Sequence, residues 1–297
     1  MPENGCTHCA ASHSGRLPCL ASATVGSRAW LLIEHPGPWG PDIDEMALPA
    51  PLADAVRRAR RHGVRPQLIR SPRRRRTTPP LRVYAGFSGT GHERVWLEGR
   101  ELEDPEELAD LDLEAVGAGR APGFGVPVTG PVLLVCTHGR HSACCARLGA
   151  PLARFLHERF GDVWETTHVG GDRYAANLVC LPHGLYYGDL DQARAAAAAS
   201  EYRHGRVVLE GYRGRAGLPE PVQAAEHFVR ARSGVLGVED VTVESMVGDV
   251  AVVRALRARY RLRIEPTPLG ACGPGCSDSI RTYVERDLTL LNETALV

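Results

Sequence analysis

The densest reactive stretch of the chain is Cys136-Thr-His138-Gly-Arg-His141-Ser-Ala-Cys144-Cys145, followed by His168-Val-Gly-Gly-Asp172. Thiolates and imidazoles are soft or borderline donors that suit zinc and iron–sulfur clusters. Two Cys, a His and a carboxylate therefore read as a metal or cluster site. Cys136 ends the continuous apolar run Pro131–Cys136 (PVLLVC), the pattern of a buried strand. Cys144 and Cys145 open the helical stretch Ser142–Phe160, where unsatisfied N–H groups and the helix dipole favour thiolate. His168 closes the alternating run Asp162–His168 (DVWETTH), and Gly170 and Gly171 allow a tight turn that brings Asp172 back toward it. These positions fall at strand carboxyl ends, where α/β sheets place their ligands. Cys144 is an alternative donor to Cys145, and His138 and His141 read as neighbouring donors or as turn residues.

The other reactive residues point less clearly to chemistry. The chain has nine Cys. Cys180 lies in mid-strand and reads as a small hydrophobe. Cys272-Gly-Pro-Gly-Cys276 has no matching second half. Cys6-Thr-His8-Cys9, with His13 and Cys19, lies in a tail without pattern. Arg73–Arg76 reads as a solvated loop, and Arg173, Arg213 and Arg215 as loop-binding or partner-docking cations. The Gly/Pro-rich stretch 117–130 follows no strand and opens no helix, so it is not a dinucleotide loop.

The 297 residues suffice for two domains of ordinary size. Hydrophobic residues are 43% and charged residues 24%, which excludes wholesale disorder, collagen and coiled coil. All 35 basic residues are Arg, so lysine Schiff-base chemistry is absent. They balance 35 acidic residues, which argues against a protein built to bind nucleic acid. No run approaches the roughly 20 apolar residues of a membrane span, and residues 1–15 lack a signal-peptide pattern; a cytoplasmic protein is expected. The spacing predicts a tail over 1–27, an N-terminal α/β domain over 28–120, and a second domain over 131–290. The N-terminal domain has strands at Arg28–Glu34, Val64–Ile69 and Leu81–Ala85, a helix at Pro51–His62 and an acidic helical stretch at Glu101–Val116. In the second domain, strand–helix–strand, a hairpin (Asn177–Leu181, Leu185–Tyr187) and a helix (Leu190–His204) give the order of a thioredoxin-like layer, a central mixed sheet flanked by helices. A further helix at Pro221–Arg232 and strands at Val241–Glu244, Val250–Ala255 and Arg259–Glu265 close it.

The stretches EHPGPWG (34–40), CTHGRHSACCARLGAPLARFL (136–156), HVGGDRYAANLVCLPHGLYYG (168–188) and EGYRGR (210–215) resemble the sucrase/ferredoxin-like family. The resemblance runs from about Arg28 to Tyr283. It implies a thioredoxin-like ferredoxin domain carrying a [2Fe-2S] cluster, an electron-transfer role and a redox partner protein. Carried over by position, Cys136 and Cys145 would hold one iron and His168 the other. Where the family's H-x-G-G-H motif has its second His, this chain has Asp172, which would either ligate the iron or orient His168, leaving the fourth position to His138, His141 or another group. The "sucrase" half of the family's name finds no pair of carboxylates placed to flank a glycosidic bond. A thiol-disulfide oxidoreductase and a cluster-free zinc or scaffold protein are the competing readings. The first lacks the C-x-x-C spacing at Cys136.

Overall fold

A computed structural model describes residues 19–73, 80–91, 93–270 and 280–293. The first half of the chain runs β1 (Ala29–Glu34), α1 (Ala50–Arg61), β2 (Val64–Arg70), β3 (Leu81–Phe87), β4 (Trp96–Leu102), α2 (Leu113–Gly117) and β5 (Val126–Pro127). The second half repeats this order with β6 (Val132–Cys136), α3 (Ala143–Phe160), β7 (Val163–Thr166), β8 (Leu178–Leu181), β9 (Leu185–Tyr187), α4 (Gln192–Arg203) and β10 (Tyr212–Arg215). Then follow α5 (Glu220–Ser233), β11 (Val241–Val247), β12 (Val250–Ala255), β13 (Ala258–Gly270) and β14 (Ile280–Glu293).

The first ten strands form one mixed sheet in the order β10-β9-β8-β6-β7-β2-β1-β3-β4-β5. Strands β1 and β2 are parallel, as are β6 and β7, and each pair is continued by antiparallel neighbours. The sheet order is therefore palindromic about the junction of β2 and β7. That junction is short and antiparallel, pairing Ile69 with Thr166 and Arg70 with Glu165. Because it uses the last two residues of each strand, the carboxyl ends of the two parallel pairs face each other across it. Glu34, Ile69, Thr166 and Cys136 consequently lie in one row.

Alternation along the strands divides the core. Val132, Leu134 and Cys136 pack with Trp30, Leu32, Tyr84, Trp164 and Tyr186 in a cluster that spans both halves. Leu133 and Val135 pack with Leu152, Ala153 and Leu156 of α3 and with the alanines of α4. Leu31 and Ile33 pack against α1 through Leu52, Ala55 and Ala59. Helix α5 lies on the separate antiparallel sheet β11-β12-β13-β14. The sequence pattern put β11, β12 and β13 at the close of the thioredoxin-like layer; hairpin pairing among themselves draws them into that second sheet.

Most elements fall where the periodicity places them. The acidic stretch 101–116 differs. Its start belongs to strand β4, a 3-10 turn covers Pro105–Asp110, and only Leu113–Gly117 is α-helical. Asp104 and Asp112 cap these two short turns, with Oδ1 accepting from the amides of Glu106 and Ala115, so the side chains that looked like a helix face serve as breaks. Among the described residues, no helix is long and apolar enough to cross a membrane.

Candidate metal centre

Three of the residues singled out by type and spacing meet in space. The sulfurs of Cys136 and Cys145 and a ring nitrogen of His168 all lie within 4.8 Å of one another. Each is delivered by a different element: Cys136 by the last residue of β6, Cys145 by the first turn of α3, and His168 by the loop after β7. Helix α3 approaches the strand end closely because position 149 is glycine; a Cβ there would stand 2.0 Å from the Cys136 carbonyl oxygen. Cys136 and Cys145 are buried, His168 half-buried. Nδ1 of His168 is a buried ring nitrogen with no hydrogen-bond partner.

The loop carrying His168 is fixed through nearly every carbonyl. The His168 oxygen accepts from Arg65 Nη2 (3.3 Å) and Gln67 Nε2 (3.2 Å). Val169 O accepts from Thr24 Oγ1 at 2.8 Å, Gly170 O from Arg213 Nη1 at 3.0 Å and Gly171 O from Asn177 Nδ2 at 2.9 Å. Gln67, itself buried, accepts from both Thr166 and Thr167 and so ties β2 to the end of β7. Such outer contacts hold ligand side chains in place in metal sites generally.

His138 is not free to ligate. The His168 amide can only donate, so Nδ1 of His138 accepts it at 3.1 Å, and Nε2–H donates to Gly40 O at 2.6 Å. Burial keeps His138 below its ordinary pKa, and its ring meets the edge of Trp39. His141 uses Nδ1 on Pro41 O (3.2 Å), and its exposed ring stacks on His168 with centroids 3.8 Å apart. The segment after β1 thus covers a site built from β6, α3 and β7, as the facing strand ends require. Beside these rings a cleft of about 390 Å³ opens between the halves, lined by Arg60, Arg65, Gln67, His138, His141 and His168.

Asp172 and Cys144 stand outside the three-atom group. Asp172 is half-buried and close enough for its charge to help raise the Cys145 pKa. Cys144 is buried and receives Arg147 Nη2 at 3.8 Å. Cys180 is fully buried and its thiol is pushed up by burial, as its mid-strand position implied. Cys6, His8, Cys9, His13, Arg74–Arg76, Cys272 and Cys276 lie outside the described residues.

The two site cysteines share a proton unequally. A hydrogen bond from Cys145 holds Cys136 well below the ordinary thiol range, against burial and with help from His168. The same contact, with burial, raises Cys145 strongly. A soft cation would displace the shared proton, since metal ligation needs both thiolates. The donor set suits such a group: two thiolates, an imidazole with a buried Nδ1 that has no hydrogen-bond partner, and a carboxylate nearby. Sequence reasoning singled out Trp39 and Gly40 only as part of EHPGPWG, with no role at the site, and missed Pro41, Arg65 and Gln67. Their roles arise only where the two halves abut, and nothing in their types announces it.

The molecule is a mixed α/β protein with Cys and His side chains clustered at the strand ends of its sheet. The sucrase/ferredoxin-like family model matches residues 24–214, and the chain belongs to that family. No curated protein and no solved structure matches the chain.

Proposed function

We propose that the protein is an electron carrier whose Cys136, Cys145 and His168 hold a [2Fe-2S] cluster, with Asp172 as the fourth ligand. The observation that carries this reading is the convergence of the two sulfurs and the ring nitrogen within 4.8 Å, with the His168 Nδ1 buried and unpartnered. When bound, the cluster would supply one-electron redox chemistry. The chain's own residues bind and orient: Cys136 and Cys145 give up their shared proton, the 168–172 loop presents His168, and the Trp39–Pro41 segment keeps His138 engaged elsewhere. The palindromic sheet supports the thioredoxin-like part of the reading, because β9-β8-β6-β7, with α3 joining the parallel pair, has the strand–helix–strand and hairpin order expected of that layer. A cytoplasmic location belongs to the same reading. The carrier would exchange electrons with a redox partner protein; neither nucleic acid nor membrane enters the proposal.

The thiol-disulfide reading is disfavoured by access. Cys136 and Cys145 are 1% and 0% exposed, and thiol exchange requires an attacking sulfur that a second disulfide can reach. The zinc reading has one observation in its favour: ligand atoms this close together also suit a single tetrahedral ion. Anaerobic purification followed by visible and paramagnetic spectroscopy of Cys145→Ala and Asp172→Ala separates them. Loss of the cluster spectrum in Cys145→Ala and an altered one in Asp172→Ala are expected. Unchanged spectra in both variants overturn the ligand set.

A further inference from the structure

Arg213 and Arg215 stand two residues apart on β10 and both are buried, at 1% and 4% exposure. Their partners differ in charge. Arg215 donates to the carboxylate of Glu226 at 3.0 Å, which also takes Arg230 at 2.8 Å. Arg213 has no carboxylate partner among the described residues. It donates to Ser22 Oγ (3.0 Å), the Ser22 carbonyl, Gly170 O (3.0 Å) and Asn177 Oδ1 (2.7 Å), and lies over the rings of Tyr174 and Tyr186. All these acceptors are neutral. A buried charge without a counter-charge is costly even when its hydrogen bonds are complete.

The surroundings of Arg213 lead to the candidate centre by two short routes. Gly170, whose carbonyl it holds, is two residues from His168. Asn177, whose side chain it holds, accepts the Cys136 amide on its own backbone oxygen at 3.1 Å. We infer that Arg213 is the counter-cation of the metal centre: its guanidinium balances the negative charge that two thiolates, Asp172 and a bound cluster bring to this point, and favours the reduced form. This rests on the cluster reading above and goes beyond it by naming a charge-balancing residue that is not a ligand. During a titration the added electron comes from an external one-electron donor such as dithionite, no bond forms or breaks at Arg213, and its proton stays in place.

The test is a redox titration of three chains, wild type, Arg213→Lys and Arg213→Gln, with iron and sulfide counted in each. Lys keeps the charge and Gln removes it. The expected result is a full cluster in all three, a midpoint near wild type for Lys, and a clearly lower midpoint for Gln. An intact spectrum with an unshifted midpoint in the Gln variant, or an equal shift in Lys and Gln, overturns the proposal. Should Gln fold without loading, loading of Lys still supports a charge role, whereas equal failure of Lys and Gln assigns Arg213 to geometry alone. Wild-type protein without iron and sulfide removes the centre itself, and with it this inference; that outcome is read before any variant is made.

Discussion

Replacing Gly171 by Ala tests how tightly the His168 loop is held. Gly171 has φ +73°, a left-handed conformation that an L-residue adopts at a cost of about 1–2 kcal/mol. Space adds a second cost, because the new Cβ would stand 2.2 Å from Nη2 and 2.7 Å from Cζ of Arg213. Flexible side chains usually retreat from such a clash. This one is held by Ser22, Gly170 and Asn177 and packed over the rings of Tyr174 and Tyr186, so the overpacking should add about 1–3 kcal/mol. Gly205 provides the control: its φ is +71° and nothing lies within 4 Å of its Cβ position, so Gly205→Ala bears the backbone term alone. Urea unfolding of both apo variants should therefore differ by about 1–3 kcal/mol, with similar slopes. Metal loading should weaken only in Gly171→Ala. Equal destabilisation of the two variants would refute the claim that Arg213 is immobile behind the loop.

Two further outcomes follow from the ion pairs and histidines. Among the described residues, Arg70→Ala leaves buried Glu165 with only the Thr137 hydroxyl as a side-chain partner, and it removes a guanidinium 3.9 Å from the centre of the Trp39 ring. Unfolding should show a loss of about 3 kcal/mol, and a loss below about 0.5 kcal/mol would show that the seam does not depend on this pair. His183 is held at about 4, chiefly by burial and then by the charge of Arg215, while Glu239 opposes the shift. Its folded pKa lies below the unfolded value of about 6.5, so its stabilisation is complete above that pH and is lost as pH falls toward 4. The loss should reach about 2 kcal/mol after allowing for partial exposure, and His183→Phe should flatten the stability curve across that window. His35, His138 and His227 are also lowered by burial and act in the same direction, so a residual slope remains in the variant.

Much of this architecture is legible in the residue order. The apolar run ending at Cys136 and the helix opening at Ser142 both signal their elements, and the two glycines after His168 mark the turn, so the residue pattern narrowed the donors to Cys136, His168 and one of Cys144 and Cys145, and the family resemblance chose Cys145. Their coming together depends on the parallel pairing of β6 with β7, which βαβ spacing implies. The cover over the site was not legible. The residues Trp39–Pro41 follow β1, far along the chain, and reach His138 and His141 only because strand carboxyl ends meet at the β2–β7 junction, a two-residue pairing with no signature of its own. Helical spacing also misled at 101–116, where Asp104 and Asp112 act as caps.

Counting iron and acid-labile sulfide in protein purified without oxygen tests the central claim most directly. The account predicts about two of each per chain, as the cluster type requires, with both lost in Cys136→Ser. One zinc per chain and no sulfide, or a colourless metal-free protein after reconstitution, would contradict it.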